Sequence, residues 1–351
     1  MKPILAGLLW AAGSMLHAQL VAAPVAEALD RPALQVAKAA QFMLLGAAQA
    51  GGRLIAVGER GIIVLSEDAG RTWRQARVPV SVTLTAVRFV NTKQGFVVGH
   101  SGVVLATNDG GETWRKQLDG VQSAQLVLKD AQASGNAAAL KEASRLLADG
   151  ADKPLLDLHF FDDRHGFVVG AYNQAFATED GGQTWQSVSS RLDNPKALHL
   201  YAVRAHGSTL LLAGEQGIVY RSDDAGKTFS RLTTPYQGSF FTAELPSADE
   251  MIVAGLRGNI WRSTNRGSSW SKVETNMPVS FTASAHRSER GLVLGNQAGA
   301  LFTFNAGRLA PLVGSVPPPL TALLPLADGR LLALGRTGVQ MLDISKEKTT
   351  P

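Results

Sequence analysis

One eight-residue pattern recurs along this chain and constrains its fold more than any other feature. It has the form Ser/Thr-x-Asp-x-Gly-x-Thr-Trp and occupies residues 66–73, 107–114, 178–185 and, with Phe at its end, 222–229. A degenerate copy occupies 263–270. Recurrence of this kind indicates a protein built from one supersecondary unit used several times.

The unit around each copy contains four short apolar runs. In the second copy these runs are 84–89, 94–99, 103–106 and 114–117, separated by turns rich in Gly, Asn and Asp. Runs of this length and composition predict four antiparallel strands. A glycine ends the second run of every copy, and these glycines are Gly58, Gly99, Gly170, Gly214, Gly255, Gly295 and Gly335.

The glycines are 41, 71, 44, 41, 40 and 40 residues apart, so six intervals define seven copies. A period of about 40 residues with four strands per unit is typical of a β-propeller blade. We therefore predict an all-β fold, a seven-bladed β-propeller over residues 43–343. The last copy has only three runs, so we expect the segment 23–42 to supply its missing outer strand and close the ring.

The longest interval contains an insertion, 121–153, that is rich in Ala, Leu, Lys and Glu. Residues 136–148 predict a helix with Leu140, Ala143 and Leu147 on one face and Gly150 just past its end. Residues 122–133 predict a second helix. We expect a small helical hairpin between blades two and three.

The N-terminus has the pattern of a secretory signal peptide. Lys2 precedes an apolar run at 4–16, and small residues follow at Ala18 and Ala22. This run is too short for a membrane-spanning helix. We predict a signal peptide at 1–22, with a retained N-terminal anchor as the alternative, and a periplasmic protein with no membrane span after cleavage. Residues 344–351 form a polar tail.

Composition excludes several classes of function. The chain of 351 residues has no cysteine, which rules out disulfides, thiolate zinc sites and cysteine nucleophiles. Its net charge of +5 comes without a long Lys/Arg run, which argues against a nucleic-acid partner. The seven histidines lack metal-ligand spacing and no glycine-rich phosphate loop occurs, so we expect neither metal nor cofactor.

The repeated pattern suits a structural role. Asp can accept hydrogen bonds from amides of its own turn, Gly allows positive φ, and the aromatic residue offers a large apolar face. Calcium binding is disfavoured because each loop offers too few carboxylates. The residues predicted to have this structural role are Asp68, Asp109, Asp180 and Asp224, with Trp73, Trp114, Trp185 and Trp270.

The pattern resembles the Asp-box, or bacterial-neuraminidase, repeat. The fuller unit, best preserved at 95–114, resembles the photosystem II stability/assembly factor family of β-propellers, and the resemblance covers roughly 43–343. It implies a non-catalytic, exported scaffold that helps to assemble membrane complexes. Some relatives in non-photosynthetic bacteria look linked to envelope transport systems of the resistance-nodulation-division type. We therefore expect a monomer that binds an envelope or inner-membrane protein complex, and we do not carry over photosystem assembly itself.

Asp-box propellers also include sialidases, so a carbohydrate-binding or glycoside-hydrolase-like propeller is the alternative. Sialidases need an arginine cluster, a Tyr nucleophile paired with Glu, and an acid Asp. Their Arg-Ile-Pro-type motif precedes the first box, whereas the sequence Arg-Val-Pro at 77–79 follows it here. None of the four tyrosines has an obvious Glu partner in the sequence. We predict that the protein is not an enzyme.

The turn tips between the second and third strands form the first candidate site. They should share one face of the ring with the helical insertion, opposite the Asp boxes, and variable polar tips on a rigid scaffold often recognise partners. The arginines among them suit carboxylates, with solubilising turn residues as the alternative. The predicted partner-binding residues are Arg60, His100, Tyr172, Glu215, Arg257, Gln297 and Arg336.

The innermost strands carry the second candidate site. Arg88, His159, Arg204 and Glu244 occupy equivalent positions in blades two to five and could form a polar ring in the channel. An internal ion-pair belt and a ligand site are both consistent with this pattern. Asp157 stands where other blades have Ala or Thr, and we expect it to pair with His159 or Arg204.

Overall fold

Seven antiparallel sheets form a closed ring in the computed structural model, which describes residues 27–287 and 291–344. Six sheets have four strands and the seventh has three, always in chain order. The first strand of each sheet contacts the first strand of the next, and the last of them contacts the first. The prediction of a seven-bladed β-propeller is therefore confirmed, and the first strands line its central channel.

The strands of blades one to three are β1 (Leu44–Ala50), β2 (Arg53–Gly58), β3 (Ile63–Ser66), β4 (Arg74–Gln75), β5 (Leu84–Phe89), β6 (Gly95–Gly99), β7 (Val104–Thr107), β8 (Arg115–Leu118), β9 (Leu155–Phe160), β10 (Gly166–Gly170), β11 (Ala175–Thr178) and β12 (Gln186–Ser187). Those of blades four and five are β13 (Leu200–His206), β14 (Thr209–Gly214), β15 (Val219–Ser222), β16 (Ser230–Leu232), β17 (Phe240–Glu244), β18 (Met251–Gly255), β19 (Ile260–Ser263) and β20 (Ser271–Val273). Those of blades six and seven are β21 (Phe281–His286), β22 (Leu292–Asn296), β23 (Ala300–Asn305), β24 (Arg308–Ser315), β25 (Leu320–Pro325), β26 (Arg330–Gly335) and β27 (Gly338–Asp343).

The second strands are buried on both faces, which explains their uninterrupted apolar sequences. In β14, Leu210 and Leu212 pack against blade three, whereas Leu211 and Ala213 pack against blade five. The buried apolar residues fall into seven clusters, one at each of the seven junctions between neighbouring blades. The core is therefore a ring of interfaces between sheets.

The segment before β1 crosses the outer rim of the ring, and it corrects one prediction. Residues 27–42 contain no strand, so the described part of 23–42 does not supply a fourth strand to blade seven. Its backbone bonds to blade one instead: Ala33 N–H donates to the Val78 carbonyl at 3.0 Å, and Ser81 N–H to the Ala28 carbonyl at 2.8 Å.

After these bonds, a short 3-10 turn at Ala39–Gln41 contacts both β4 of blade one and β27 of blade seven. Ala39 is buried in the cluster between those two blades. The segment thus straps the junction where the ring closes. The predicted signal peptide (1–22), residues 23–26 and all but the first residue of the polar tail lie outside the described residues.

The predicted helical hairpin is confirmed as α1 (Gly120–Ser134) and α2 (Ala137–Asp149), between β8 and β9. Asp119 caps α1 in a capping box and Asn136 caps α2. The predicted apolar face of α2 is only partly right. Ala143 and Leu146 are buried, but Leu140 and Leu147 remain 39% and 37% exposed, because α1 contacts a neighbouring sector of the helix.

Neither of these helices is long and apolar enough to cross a membrane.

Each Asp box is a closed set of hydrogen bonds between the third and fourth strands. In blade one, Asp68 Oδ1 accepts from Thr72 N–H at 2.8 Å and Asp68 Oδ2 accepts from the Thr72 hydroxyl at 2.6 Å. The Ser66 hydroxyl donates to Asp68 at 2.8 Å and accepts from Gly70 N–H at 2.8 Å. Trp73 Nε1 donates to the Gly70 carbonyl at 3.1 Å. These bonds satisfy the box within itself.

The bonds of the Asp carboxylate and of the first hydroxyl recur in the boxes of blades two, three and four. The indole bond recurs at Trp114 but not at Trp185, whose buried Nε1 has no hydrogen-bond partner among the described residues. The degenerate box of blade five keeps them with Asn265, which accepts from Ser269 N–H at 2.9 Å and donates to the Ser269 hydroxyl at 2.8 Å. Trp114 and Trp185 pack into the junctions with the preceding blades. The box therefore fixes a turn and anchors a ring side chain between blades.

We expect Asp224→Ala to lower the free energy of unfolding by about 1–2 kcal/mol, because the turn loses its bonds to Thr228 and Ser222. Asp224→Asn should cost well under half as much, since Asn265 holds the same turn in blade five. Thermal and denaturant unfolding of the two variants measure the difference. Equal losses would contradict a hydrogen-bonded role for this residue.

The same contribution should depend on pH. The hydrogen bond from the Thr228 hydroxyl lowers the pKa of Asp224 from 3.8 to about 2. A depressed folded-state pKa adds stability that is present above about pH 4 and lost as the pH falls through 2. The stability difference between wild type and Asp224→Asn should therefore shrink over that window, as measured by unfolding at stepped pH.

Candidate functional site

The turns between second and third strands form a face with a fixed backbone. Four of them share one conformation, with a middle residue in the left-handed region: φ is 54° at Arg60, 57° at Ser101, 53° at Gln216 and 55° at Arg257. The glycine that follows admits no side chain, since a Cβ on Gly217 would lie 1.9 Å from the Tyr236 carbonyl oxygen. In these four blades, which include those of Arg60 and Arg257, the tip side chains therefore project from rigid turns.

All seven predicted partner-binding residues are exposed or half-buried at these turns. Glu215 is already engaged, because its Oε2 accepts from His199 N–H at 3.2 Å. The guanidinium groups of Arg60, Arg257 and Arg336 make no hydrogen bond or ion pair with any residue that the structure describes. These three cations are free to bind, but they do not form one cluster. Blades one and seven are neighbours, whereas blade five adjoins neither.

The helical hairpin lies on this same face, as predicted. Its base is pressed against the blade-two turn: a Cβ on Gly120 would lie 2.8 Å from the Ser101 carbonyl oxygen. α1 then docks on the outer edge of blade three, where the Asp130 carboxylate accepts from Ser190 N–H at 3.2 Å and from the hydroxyls of Ser187 and Ser190 at 2.9 and 2.8 Å. The insertion is thus held at two points.

A groove of about 1050 Å³ separates the hairpin from the link between blades three and four. Ala139, Ala143 and Leu146 of α2 line one side, and residues 189–197 line the other. Tyr172, at the blade-three turn tip, stands at the groove and is 47% exposed. The hairpin therefore adds a concave surface to a face that otherwise consists of short turns.

A row of aromatic rings begins at Tyr172, and sequence reasoning missed all but this first member. Ring centroids are 4.6 Å apart between Tyr172 and His199, 6.1 Å between His199 and Tyr201, and 5.5 Å between Tyr201 and Phe241. Alignment of the first strands would have found Tyr201 and Phe241, which occupy equivalent positions in β13 and β17. We call these four residues the aromatic row.

The channel brings together part of the predicted polar ring. Arg204 binds the Asp157 carboxylate directly, and its Nε lies 3.6 Å from Glu244 Oε1. Asp157 Oδ2 also accepts from Val203 N–H at 3.0 Å, and Glu244 accepts from the Ser284 hydroxyl at 2.6 Å. Asp157, Arg204 and Glu244 therefore form a belt across blades three, four and five.

Arg88 and His159 stand beside this belt without joining it. Neither side chain makes a hydrogen bond or ion pair with the residues in the described ranges, although the His159 ring lies 4.9 Å from that of Phe161. Burial lowers the pKa of Arg88, and the nearby charge of Arg204 adds to this. Burial, helped by the charge of Arg88, lowers the pKa of His159 to about 4. His159 is therefore neutral near pH 7.

Within residues 27–287 and 291–344, no three His, Asp or Glu side chains are grouped so that they could hold a metal ion. The tyrosine hydroxyls have structural partners in two cases: Tyr220 donates to the Asp193 carbonyl and Tyr236 to the Leu256 carbonyl. Tyr201 has its pKa raised by burial and then by the charge of Glu215.

This chain is similar to known proteins in both sequence and structure. The sequence model of the family described as photosynthesis system II assembly factor YCF48 matches residues 65–141 and 137–303. The photosystem II assembly lipoprotein Ycf48 of Synechococcus sp. (strain CC9902) is 31% identical over 97 residues, which cover 28% of this chain. The match spans only 27% of that relative's own length.

Among solved structures, YCF48 bound to a D1 peptide is similar with a TM-score of 0.66 and 16% identity, covering 89% of this chain and 96% of the other. The GH74 xyloglucanase of Xanthomonas campestris is similar with a TM-score of 0.64 and 12% identity, covering 91% of this chain and 54% of the other. At these identities the structural likenesses concern the fold alone.

The buried state of His159 leads to a pH-dependent prediction. Its folded-state pKa of about 4 lies below the ordinary 6.5, so its contribution to stability is fully present above pH 6.5 and is lost as the pH falls towards 4. Replacing it by glutamine should remove about 3 kcal/mol of this loss at pH 4. Unfolding of wild type and His159→Gln at stepped pH from 7 to 4 measures it; parallel curves would contradict a buried neutral imidazole.

Proposed function

This chain belongs to the family of the photosynthesis system II assembly factor YCF48, and we propose from this membership that it is a non-catalytic accessory factor for a membrane protein complex. The relative most informative about function is the YCF48 that was solved with a D1 peptide. By analogy, we propose that this chain holds a segment of a membrane protein while that protein is assembled or maintained.

One observation carries the proposal: the face formed by the turn tips presents free cations on rigid backbone beside an added groove. Arg60, Arg257 and Arg336 have no described partner, whereas the acid Glu215 on the same face is engaged by a backbone N–H. Among the turn-tip residues, the charge that remains available for recognition is therefore positive. A guanidinium binds carboxylates in a bidentate manner, so we propose that the partner presents acidic residues.

We propose that the partner is an envelope or inner-membrane complex, and specifically a transporter of the resistance-nodulation-division type. The proposal of a periplasmic location rests on the signal-peptide pattern at 1–22 and on the fact that the Synechococcus relative is a lipoprotein. The partner need not be a photosystem. The family resemblance concerns the propeller scaffold, whereas the residues of the turn-tip face determine which partner binds.

A glycoside-hydrolase-like activity is the competing proposal, supported by the Asp boxes and the fold shared with a xyloglucanase. A screen of chromogenic glycosides with the purified protein addresses it directly. An enzymatic function would replace the scaffold proposal if two results were obtained. Turnover would have to survive substitution of the three tip arginines, and it would have to be lost on substitution of channel carboxylates such as Asp157.

We expect the combined variant Arg60→Ala/Arg257→Ala/Arg336→Ala to recover at least about tenfold less of the membrane partner than wild type, since each lost ion pair removes affinity. Capture from detergent-solubilised membranes, quantified by mass spectrometry, measures this. The matched control removes three exposed cations at or beside the boxes, Arg71→Ala/Arg115→Ala/Lys227→Ala. A loss of the same size in the control would show that net charge matters and the turn-tip face does not.

The helical insertion should contribute to the same capture without being needed for folding. Because a Cβ on Gly120 would lie 2.7 Å from the Ala151 Cα, residues 121–150 can be removed with Gly120 joined to Ala151 through a short glycine linker. We expect this variant to unfold at nearly the wild-type temperature and to recover several-fold less partner. Equal recovery of the same partner would remove the insertion from the binding surface.

A further inference from the structure

Every first strand in the ring carries one extra residue near its start, where the pairing with the second strand shifts register. These bulge residues lie at the channel end next to the turn-tip face, because each follows a residue paired with the glycine or asparagine that ends the second strand. The seven bulge residues are Leu45, Thr85, Leu156, Tyr201, Phe241, Thr282 and Thr321.

Three of these bulges show what the scaffold itself requires. The hydroxyls of Thr85, Thr282 and Thr321 donate to carbonyls of the next blade's first strand, at 2.8, 2.8 and 2.6 Å. Threonine therefore suffices to join neighbouring blades at this position. Blades four and five instead carry Tyr201 and Phe241, which stay half-buried at the channel mouth. Threonine can make the contact between blades at this position, so the fold does not need an aromatic ring there. Contact with a partner better explains why a bulky ring is left partly exposed to water.

The rings are continuous with the groove beside the hairpin. Lys153 Nζ lies 5.1 Å from the centre of the Tyr172 ring, and Tyr172 lines the groove and begins the aromatic row. Tyr172 N–H donates to His199 Nδ1 at 3.2 Å, which fixes the relative position of the first two rings. The surface therefore runs from the insertion, across blade four, to the channel mouth on blade five.

The angles and distances between the rings indicate which kind of ligand the aromatic row can bind. Neighbouring planes meet at 59°, 76° and 66°, so the row offers notches between rings in place of the flat platform on which a sugar ring stacks. The centroid separations of 6.1 Å between His199 and Tyr201 and 5.5 Å between Tyr201 and Phe241 are near the spacing of same-side residues along an extended chain, about 6.6 Å, whereas Tyr172 and His199 are closer at 4.6 Å. An extended peptide with an apolar side chain at every second residue fits this row.

The charges along the row give the peptide a direction. Lys153 is paired with Asp149 and Asp152 at 3.2 and 2.6 Å, so the cation that stands over the Tyr172 ring is already neutralised. At the other end the blade-five turn bonds to the start of β17, with Leu256 N–H donating to the Ser239 carbonyl at 2.9 Å, and this turn presents the unpaired Arg257. An acidic residue of the peptide would therefore lie at the Phe241 end.

We propose that the aromatic row is the docking strip for an extended segment of the partner, with alternating apolar residues followed by an acidic residue. This inference rests on the proposed function, because it assigns the row to the same partner-binding face. It adds the conformation, the side-chain pattern and the direction of the bound segment.

The test uses the full chain and a fluorescein-labelled octapeptide. In this peptide Phe and Ser alternate, and two Asp residues follow them. Fluorescence anisotropy should show saturable binding. Tyr201→Thr/Phe241→Thr should weaken it about tenfold or more, with the unfolding temperature nearly unchanged because threonine serves this bulge in three other blades. The control Leu34→Thr, which alters an apolar side chain 77% exposed on the outer rim, should bind as wild type.

Two peptide variants separate pattern from composition. An isomer with its Phe residues contiguous should bind several-fold more weakly, and Arg257→Ala should weaken the Asp-ended peptide but not a Lys-ended one. Absence of saturable binding, unchanged affinity in the double threonine variant, or competition by a neutral oligosaccharide would each overturn the proposal. If membrane capture still depends on the three tip arginines in that case, the proposed function stands without the strip.

Discussion

Burial of each blade's second strand on both faces is the constraint on which the rest of this structure depends. A sheet with one solvated face could stand alone, but β14 presents Leu210 and Leu212 to one neighbour and Leu211 and Ala213 to the other. No blade can satisfy both faces without two neighbours, so the ring must close. The cluster between blades seven and one completes that closure, and the strap before β1 contributes Ala39 to it.

The Asp boxes follow from the same constraint. Each box ends a third strand whose apolar residues face two blades, and its aromatic residue must return to one of those junctions. The hydrogen bonds of Asp68 and Thr72 hold the turn that makes this return possible. The side chains that recur most faithfully are therefore fully occupied in holding the fold. Binding is left to positions where the blades differ from one another.

Repetition is why so much of the fold could be predicted from sequence. Seven glycines give the blade number, because their spacing is nearly equal in every interval except the one that contains the insertion, and four apolar runs per unit give the strands. The errors occur where a single copy departs from the repeat. The fourth strand expected in blade seven is absent from 27–42, because that backbone bonds to Val78 and Ser81 of blade one instead. Leu146 is buried in α2 where Leu140 and Leu147 were expected, because the contact with α1 sets the buried sector.

The candidate site was less predictable for a related reason. Side chains that meet across blades are far apart in sequence, such as Asp157 with Arg204, or Tyr201 with Phe241. The seven blades can, however, be compared with one another at equivalent positions. A residue type that the scaffold requires at such a position should recur from blade to blade. Threonine occupies the first-strand bulge in three blades and ties each to the next, and leucine occupies it in two others; Tyr201 and Phe241 alone place aromatic rings there, and the two rings lie side by side. Selection for folding alone gives no reason for that placement, whereas selection for a bound segment does.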